Sequence, residues 1–158
     1  MSSVRGRVLV VDDDSRFLND FSKVLEIHHI DVLTARNAEE GFKILMEKPV
    51  DVVLSDQRMP GIKGSDFLTA VAEGYPTVVR ILITGYSDLE PAIEAINRAK
   101  VRSYISKSEE PERMAKIVLA AIEYRQVLRD LESTRKRREK GPSATSALEM
   151  VNVAVITD

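Results

Sequence analysis

The chain has 158 residues, 44% of them hydrophobic and 30% charged, a net charge of −2 and no cysteine. That size suits one domain of the common kind plus an appendage, with enough apolar residues for an ordinary core. The near-neutral charge gives no global argument for nucleic acid or membrane as a partner, and the lack of cysteine excludes disulfides, thiolate metal sites and a cysteine nucleophile.

The opening residues lead straight into an apolar run, Val8 to Val11, far too short for a leader core or a membrane span, so a cytoplasmic protein is expected. Asp12, Asp13 and Asp14 follow at once, and Ser15 stands ahead of a helical pattern in Phe17, Leu18, Phe21, Val24 and Leu25. This predicts strand, acidic loop, amphipathic helix. A second strand is predicted over Ile30 to Ala35, and Asn37 can cap a helix carrying Phe42, Ile44 and Leu45 until Pro49 breaks it.

The next apolar run, Asp51 to Ser55, stops on Asp56 and is followed by the turn chemistry of Arg58, Pro60, Gly61 and Gly64. A continuous run of this kind fits a strand buried on both faces of a parallel sheet, with Asp56 at its carboxyl end. Ser65, Phe67, Leu68 and Val71 predict a third helix ending near Gly74, and Val78 to Thr84 a fourth strand. Asp88 and Pro91 open a further helix with Ile93 and Ile96 on its apolar side, and Tyr104 and Ile105 mark a short fifth strand. From Pro111 a long helical pattern runs without Gly or Pro to Gly141. Strands alternating with helices predict an α/β fold, a doubly wound, five-stranded parallel sheet of the flavodoxin-like kind with an extended C-terminal helix. The expected division is a domain over 1–124, a helical linker over 125–140 and a flexible linker with the possible start of a further domain over 141–158.

Under this topology the acids after strand one, Asp56, Thr84 and Lys107 share one edge of the sheet, the edge at which α/β sheets bind ligands. Three carboxylates packed together repel, and the usual remedies are a raised pKa or a bound cation. Oxygen-only ligands favour a hard ion such as Mg2+, which keeps waters and leaves room for a phosphate oxygen. A carboxylate nucleophile, a metal, a hydroxyl donor and an ammonium are the parts that phosphoryl transfer requires. Each residue also has an ordinary explanation: helix cap, β-former, solvated charge or packing.

Four pieces, VLVVDDDS, VLSDQRMPGIKG, ILITGYSD and YISK, stand in the order and at the intervals of the receiver domain of two-component response regulators, which the chain resembles from about Arg5 to Tyr124. The resemblance implies that Asp56 is the phosphoacceptor, that Asp13 ligates Mg2+ directly and Asp12 mainly through water, and that the Arg58 backbone carbonyl completes the protein ligands. It further implies that Thr84 bonds one phosphoryl oxygen and Lys107 another, with Tyr104 as the switch aromatic. The implied partner is a sensor histidine kinase or a phosphotransfer protein. Ser108 departs from the proline usual after the family's lysine, and the bulk of Arg58 and Tyr86 leads us to expect a shielded phosphoryl group. Two other readings compete: a haloacid-dehalogenase-like phosphatase with an Asp nucleophile, and a receiver-like interaction module that is never phosphorylated.

The appendage has no room for a winged-helix reader, and the basic run Arg135 to Lys140 reads as a solvated helix end, so no nucleic-acid partner is expected. Ala121, Tyr124, Leu128 and Leu131 alternate at intervals of three and four, as in a coiled-coil seam, and predict a homodimer through the C-terminal helix. The segment from Leu148 resembles the start of a PAS-type sensor domain, so further sequence beyond Asp158 is expected.

Overall fold

A computed structural model describes residues 3–85 and 97–139. The chain divides into two compact units, Met1–Arg125 and Gln126–Asp158. In the first, strands β1 (Gly6–Val11), β2 (Ile30–Ala35), β3 (Val52–Asp56), β4 (Val79–Thr84) and β5 (Ser103–Ser106) form one sheet in the order β2-β1-β3-β4-β5. Every pairing is parallel.

The apolar strands are explained by cover on both faces. On one face Val8, Val10, Val52, Leu54, Ile81, Ile83 and Ile105 pack with Leu18, Phe21 and Leu25 of helix α1 (Ser15–Ile27) and with Met114, Val118 and Ile122 of a long helix, Pro111–Glu139. On the other, Leu9, Val11, Val53 and Leu82 pack with Leu45 of α2 (Ala38–Glu47) and Phe67, Leu68 and Val71 of α3 (Gly64–Gly74). Strand residues alternate between the two cores with the period of two that a pleated strand imposes.

The predicted boundaries hold to within a residue or two, and the differences have causes. Asp51 lies outside β3, where its buried carboxylate accepts from Arg7 N at 2.8 Å. Asp14 caps α1, its Oδ1 accepting from Arg16 N and Phe17 N. A seam beginning at Ala121 is not available, because that residue is buried in the sheet-facing core. Within Gln126–Glu139, Val127 and Leu131 are exposed. Lys136, Arg137 and Arg138 fill the last turn of the long helix, where cations complement the helix dipole. The helix predicted from Asp88, with Tyr86, Ile93 and Ile96, and the segments Gly141 to Ala147 and Leu148 to Asp158 lie outside the described residues. Among the described residues no helix is long and apolar enough to cross a membrane.

Candidate functional site

Parallel strands end together, and the site is built from the residues at which they stop. Asp56 and Thr84 are the last residues of β3 and β4, while Asp12 and Lys107 directly follow β1 and β5. Sheet-type hydrogen bonds continue past the strands: Asp12 N donates to Ala35 O at 3.0 Å, Gln57 N to Ile83 O at 3.1 Å and Lys107 N to Thr84 O at 2.9 Å. The backbone that carries the reactive side chains is therefore held by the sheet.

Carboxylate oxygens of Asp12, Asp13 and Asp56 lie within 4.8 Å of one another. Asp12 is fully buried, Asp56 is 6% exposed and Asp13 is open to solvent. Lys107 Nζ stands 2.8 Å from Asp12 Oδ2 and 3.6 Å from Asp56 Oδ2. One ammonium facing three carboxylates leaves the cluster net negative, which is the condition that recruits a cation.

Burial pushes the Asp56 carboxyl up from 3.8 to about 6, with the charge on Asp12 adding and that on Lys107 opposing. Burial also raises Asp12, against the hydrogen bonds it accepts from Lys107 and from Asp14 N. For Lys107, burial acts to lower the ammonium, but the hydrogen bond to Asp12 and the charges of Asp12 and Asp56 outweigh it, and its pKa is raised.

The loop after Asp56 is fixed by a contact that sequence reasoning missed. Gln57 is buried, its Oε1 accepts from Ser65 N at 2.8 Å, and its Nε2 donates to Ser65 Oγ at 3.1 Å. It does the work of an N-cap for α3, since the residue at that position, Lys63, offers no side-chain bond. Glutamine eight residues ahead of its partner has no short-range signature. Gly64 N closes the same loop onto Gln57 O at 3.1 Å.

Thr84 is buried at the end of β4, whereas Arg58 is exposed in the loop after Asp56. Tyr104 lies opposite Leu82 in the β4–β5 pairing and is 47% exposed. The peptide between Lys107 and Ser108 is trans. Lys107 reaches the carboxylates from a turn closed by Glu109 N donating to Ser106 O at 3.0 Å, with the Ser106 and Ser108 hydroxyls 2.7 Å apart.

Five parallel strands in this order, with helices on both faces and acids at the carboxyl edge, define an α/β domain of the flavodoxin-like class. The family model of the response regulator receiver domain matches residues 8–119. The hydrogenase transcriptional regulatory protein HoxA of Cupriavidus necator is 41% identical over 123 residues, 78% of this chain and 25% of the relative. The DNA-binding transcriptional regulator NtrC of Escherichia coli is 33% identical over 122 residues, 77% of this chain and 26% of the relative. The crystal structure of a response regulator receiver domain protein from Clostridium thermocellum superposes with a TM-score of 0.72 at 32% identity, covering 78% of this chain and 98% of that one. The chain belongs to the receiver domains of two-component response regulators. It spans about a quarter of the length of the curated relatives named here. Receiver domains are phosphorylated by histidine kinases and bind Mg2+ at an acidic pocket, and the match does not favour the dehalogenase-like phosphatase.

Proposed function

We propose that Asp56 accepts a phosphoryl group from a sensor histidine kinase, a phosphotransfer protein or a small phosphoryl donor. The observation that carries the reading is the meeting of the Asp12, Asp13 and Asp56 carboxylates with the Lys107 ammonium at the sheet edge. In the transfer an Asp56 carboxylate oxygen attacks phosphorus, an acyl phosphate bond forms, and the bond to the donor nitrogen or oxygen breaks. The Lys107 ammonium, 3.6 Å from Asp56 Oδ2, meets one phosphoryl oxygen where it stands, and the Thr84 hydroxyl bonds another. The donor set fits Mg2+, since three clustered carboxylates in net negative surroundings are hard oxygen ligands. Asp13 and Asp56 would hold the ion directly, with Asp12 acting mainly through water and the Arg58 carbonyl as a further ligand. When bound, the ion supplies positive charge that offsets the charge gathering on the phosphoryl oxygens.

Intact mass after incubation with phosphoramidate and Mg2+ is expected to show one added phosphoryl group, absent in Asp56→Asn and without Mg2+. A variant that labels as well as the parent overturns the assignment.

The signal is read by a change at Thr84 and Tyr104 and passes to an output that the relatives' names suggest is transcriptional. We further propose a homodimer through the long helix, with the seam displaced from Ala121 to the exposed Tyr124, Val127 and Leu131. Intervals of three and four set these side chains on one stripe. Light scattering at tens of micromolar is expected to report a dimer that Val127→Glu with Leu131→Glu converts to a monomer. A monomeric parent, with or without phosphoramidate, makes the helix a spacer instead.

A further inference from the structure

Phe17, on the first turn of α1, belongs to none of the roles assigned above, yet its ring lies 4.8 Å from Lys107 Nζ. The contact closes a ring of interactions. Asp12 Oδ1 accepts from Asp14 N at 2.9 Å, and Asp14 Oδ1 in turn accepts from Phe17 N at 3.2 Å. The Phe17 ring covers the Lys107 ammonium, which returns to Asp12 through Oδ2 at 2.8 Å. Asp14 is thus the cap that sets where α1 begins, and one buried carboxylate carries a hydrogen bond at Oδ1 and an ion pair at Oδ2. Phe21 stacks on Phe17 with centroids 5.4 Å apart and 23° between planes, which limits how far the first ring can tilt.

We propose that Phe17 is a positioning residue for phosphoryl transfer, its ring holding the Lys107 ammonium over Asp12 and Asp56 where the phosphoryl oxygens arrive. The inference rests on the phosphoacceptor reading of Asp56. Lys107 is a long, flexible chain carrying a point charge, and its side chain remains 28% exposed. A ring face attracts an ammonium through its quadrupole and excludes water from that side, so fewer lysine conformers compete with the one that faces the carboxylates. An aliphatic residue of similar size fills the same space without that attraction.

The test uses the whole chain with Mg2+ and follows intact mass at several phosphoramidate concentrations for the parent, Phe17→Leu, Phe17→Tyr and Phe21→Leu, with thermal midpoints measured on each. A cation–π contact of ordinary strength corresponds to a fall of about three- to tenfold in the maximal rate for Phe17→Leu. The half-saturating donor concentration is expected to stay at the parent value. Phe17→Tyr, which keeps a ring face, is expected to restore the rate. Phe21→Leu, which removes the stack behind Phe17, is expected to lower the midpoint and to lower the rate by less than Phe17→Leu does. A Phe17→Leu rate equal to the parent's overturns the proposal, as does Phe17→Tyr failing as badly as Phe17→Leu, or rates that merely follow the midpoints. A parent that takes up no phosphoryl group overturns the phosphoacceptor reading and this inference with it, whereas a parent labelled at Asp56 beside an unaffected Phe17→Leu removes this inference alone.

Discussion

Gly64→Ala is expected to lower the stability of the domain by about 3 kcal/mol, at the upper end of what overpacking costs, because the added methyl has nowhere to go. A Cβ at Gly64 would stand 1.9 Å from Asp56 O and 2.7 Å from Asp56 C. Both are backbone atoms of the strand end, so no side-chain rotation relieves the clash. Either α3 lifts from the sheet, which opens the Phe67 and Leu68 core, or Asp56 is displaced. The same substitution at the other end of the same helix makes the control. At Gly74 no atom lies within 4 Å of an added Cβ, and no positive φ opposes alanine. Gly74→Ala is therefore expected to gain about 0.5 kcal/mol by restricting the unfolded chain. Urea denaturation of both variants checks the pair. Equal midpoints would mean that the approach of α3 to Asp56 is not the constraint on this position.

Most of the first unit was legible because its periodicities are clean and each breaker sits at an element end. Asp51 to Ser55 read as a strand buried on both faces, and the sheet order puts β3 at the centre. The candidate site was legible for the same reason, since parallel topology sends every strand's final residue to one edge. What the sequence hid are contacts between residues whose spacing carries no rule. Nothing local marks Gln57 as the partner of Ser65, or Phe17 as the cover over Lys107, because both depend on how loops fold back after the strands end. Asp14 was legible as an acid but not as the cap, since three consecutive aspartates offer three equivalent choices. Ala121 was read as open to a partner although it is buried, because helical periodicity fixes which residues share a stripe, not which stripe the sheet already covers.

The second large effect concerns the charge that the fold keeps buried at Asp56. Its carboxyl titrates near 3.8 when unfolded and at about 6 when folded, so the folded chain holds this proton more tightly. Below the unfolded value both states are protonated and Asp56 costs nothing. As pH rises between the two values the unfolded state ionises first, and stability falls. Above about pH 6 both are ionised and the full cost is present, roughly 3 kcal/mol at 1.36 kcal/mol per pKa unit. Asp56→Asn removes that ionisation while keeping nearly the same shape. Without divalent cation the variant is expected to match the parent near pH 4 and to exceed it by about 2 kcal/mol at pH 7.5, the remainder being absorbed by relaxation around Asp12. Millimolar Mg2+ is expected to raise the parent's midpoint and to leave the variant's nearly unchanged, because the ion is held by the charge that the substitution deletes. Thermal melts across that pH range, with and without Mg2+, decide the matter. A variant no more stable than the parent at pH 7.5 would show that Lys107, at 3.6 Å from Asp56 Oδ2, already neutralises the buried carboxylate, and that the cluster does not draw in a cation by relieving its own repulsion.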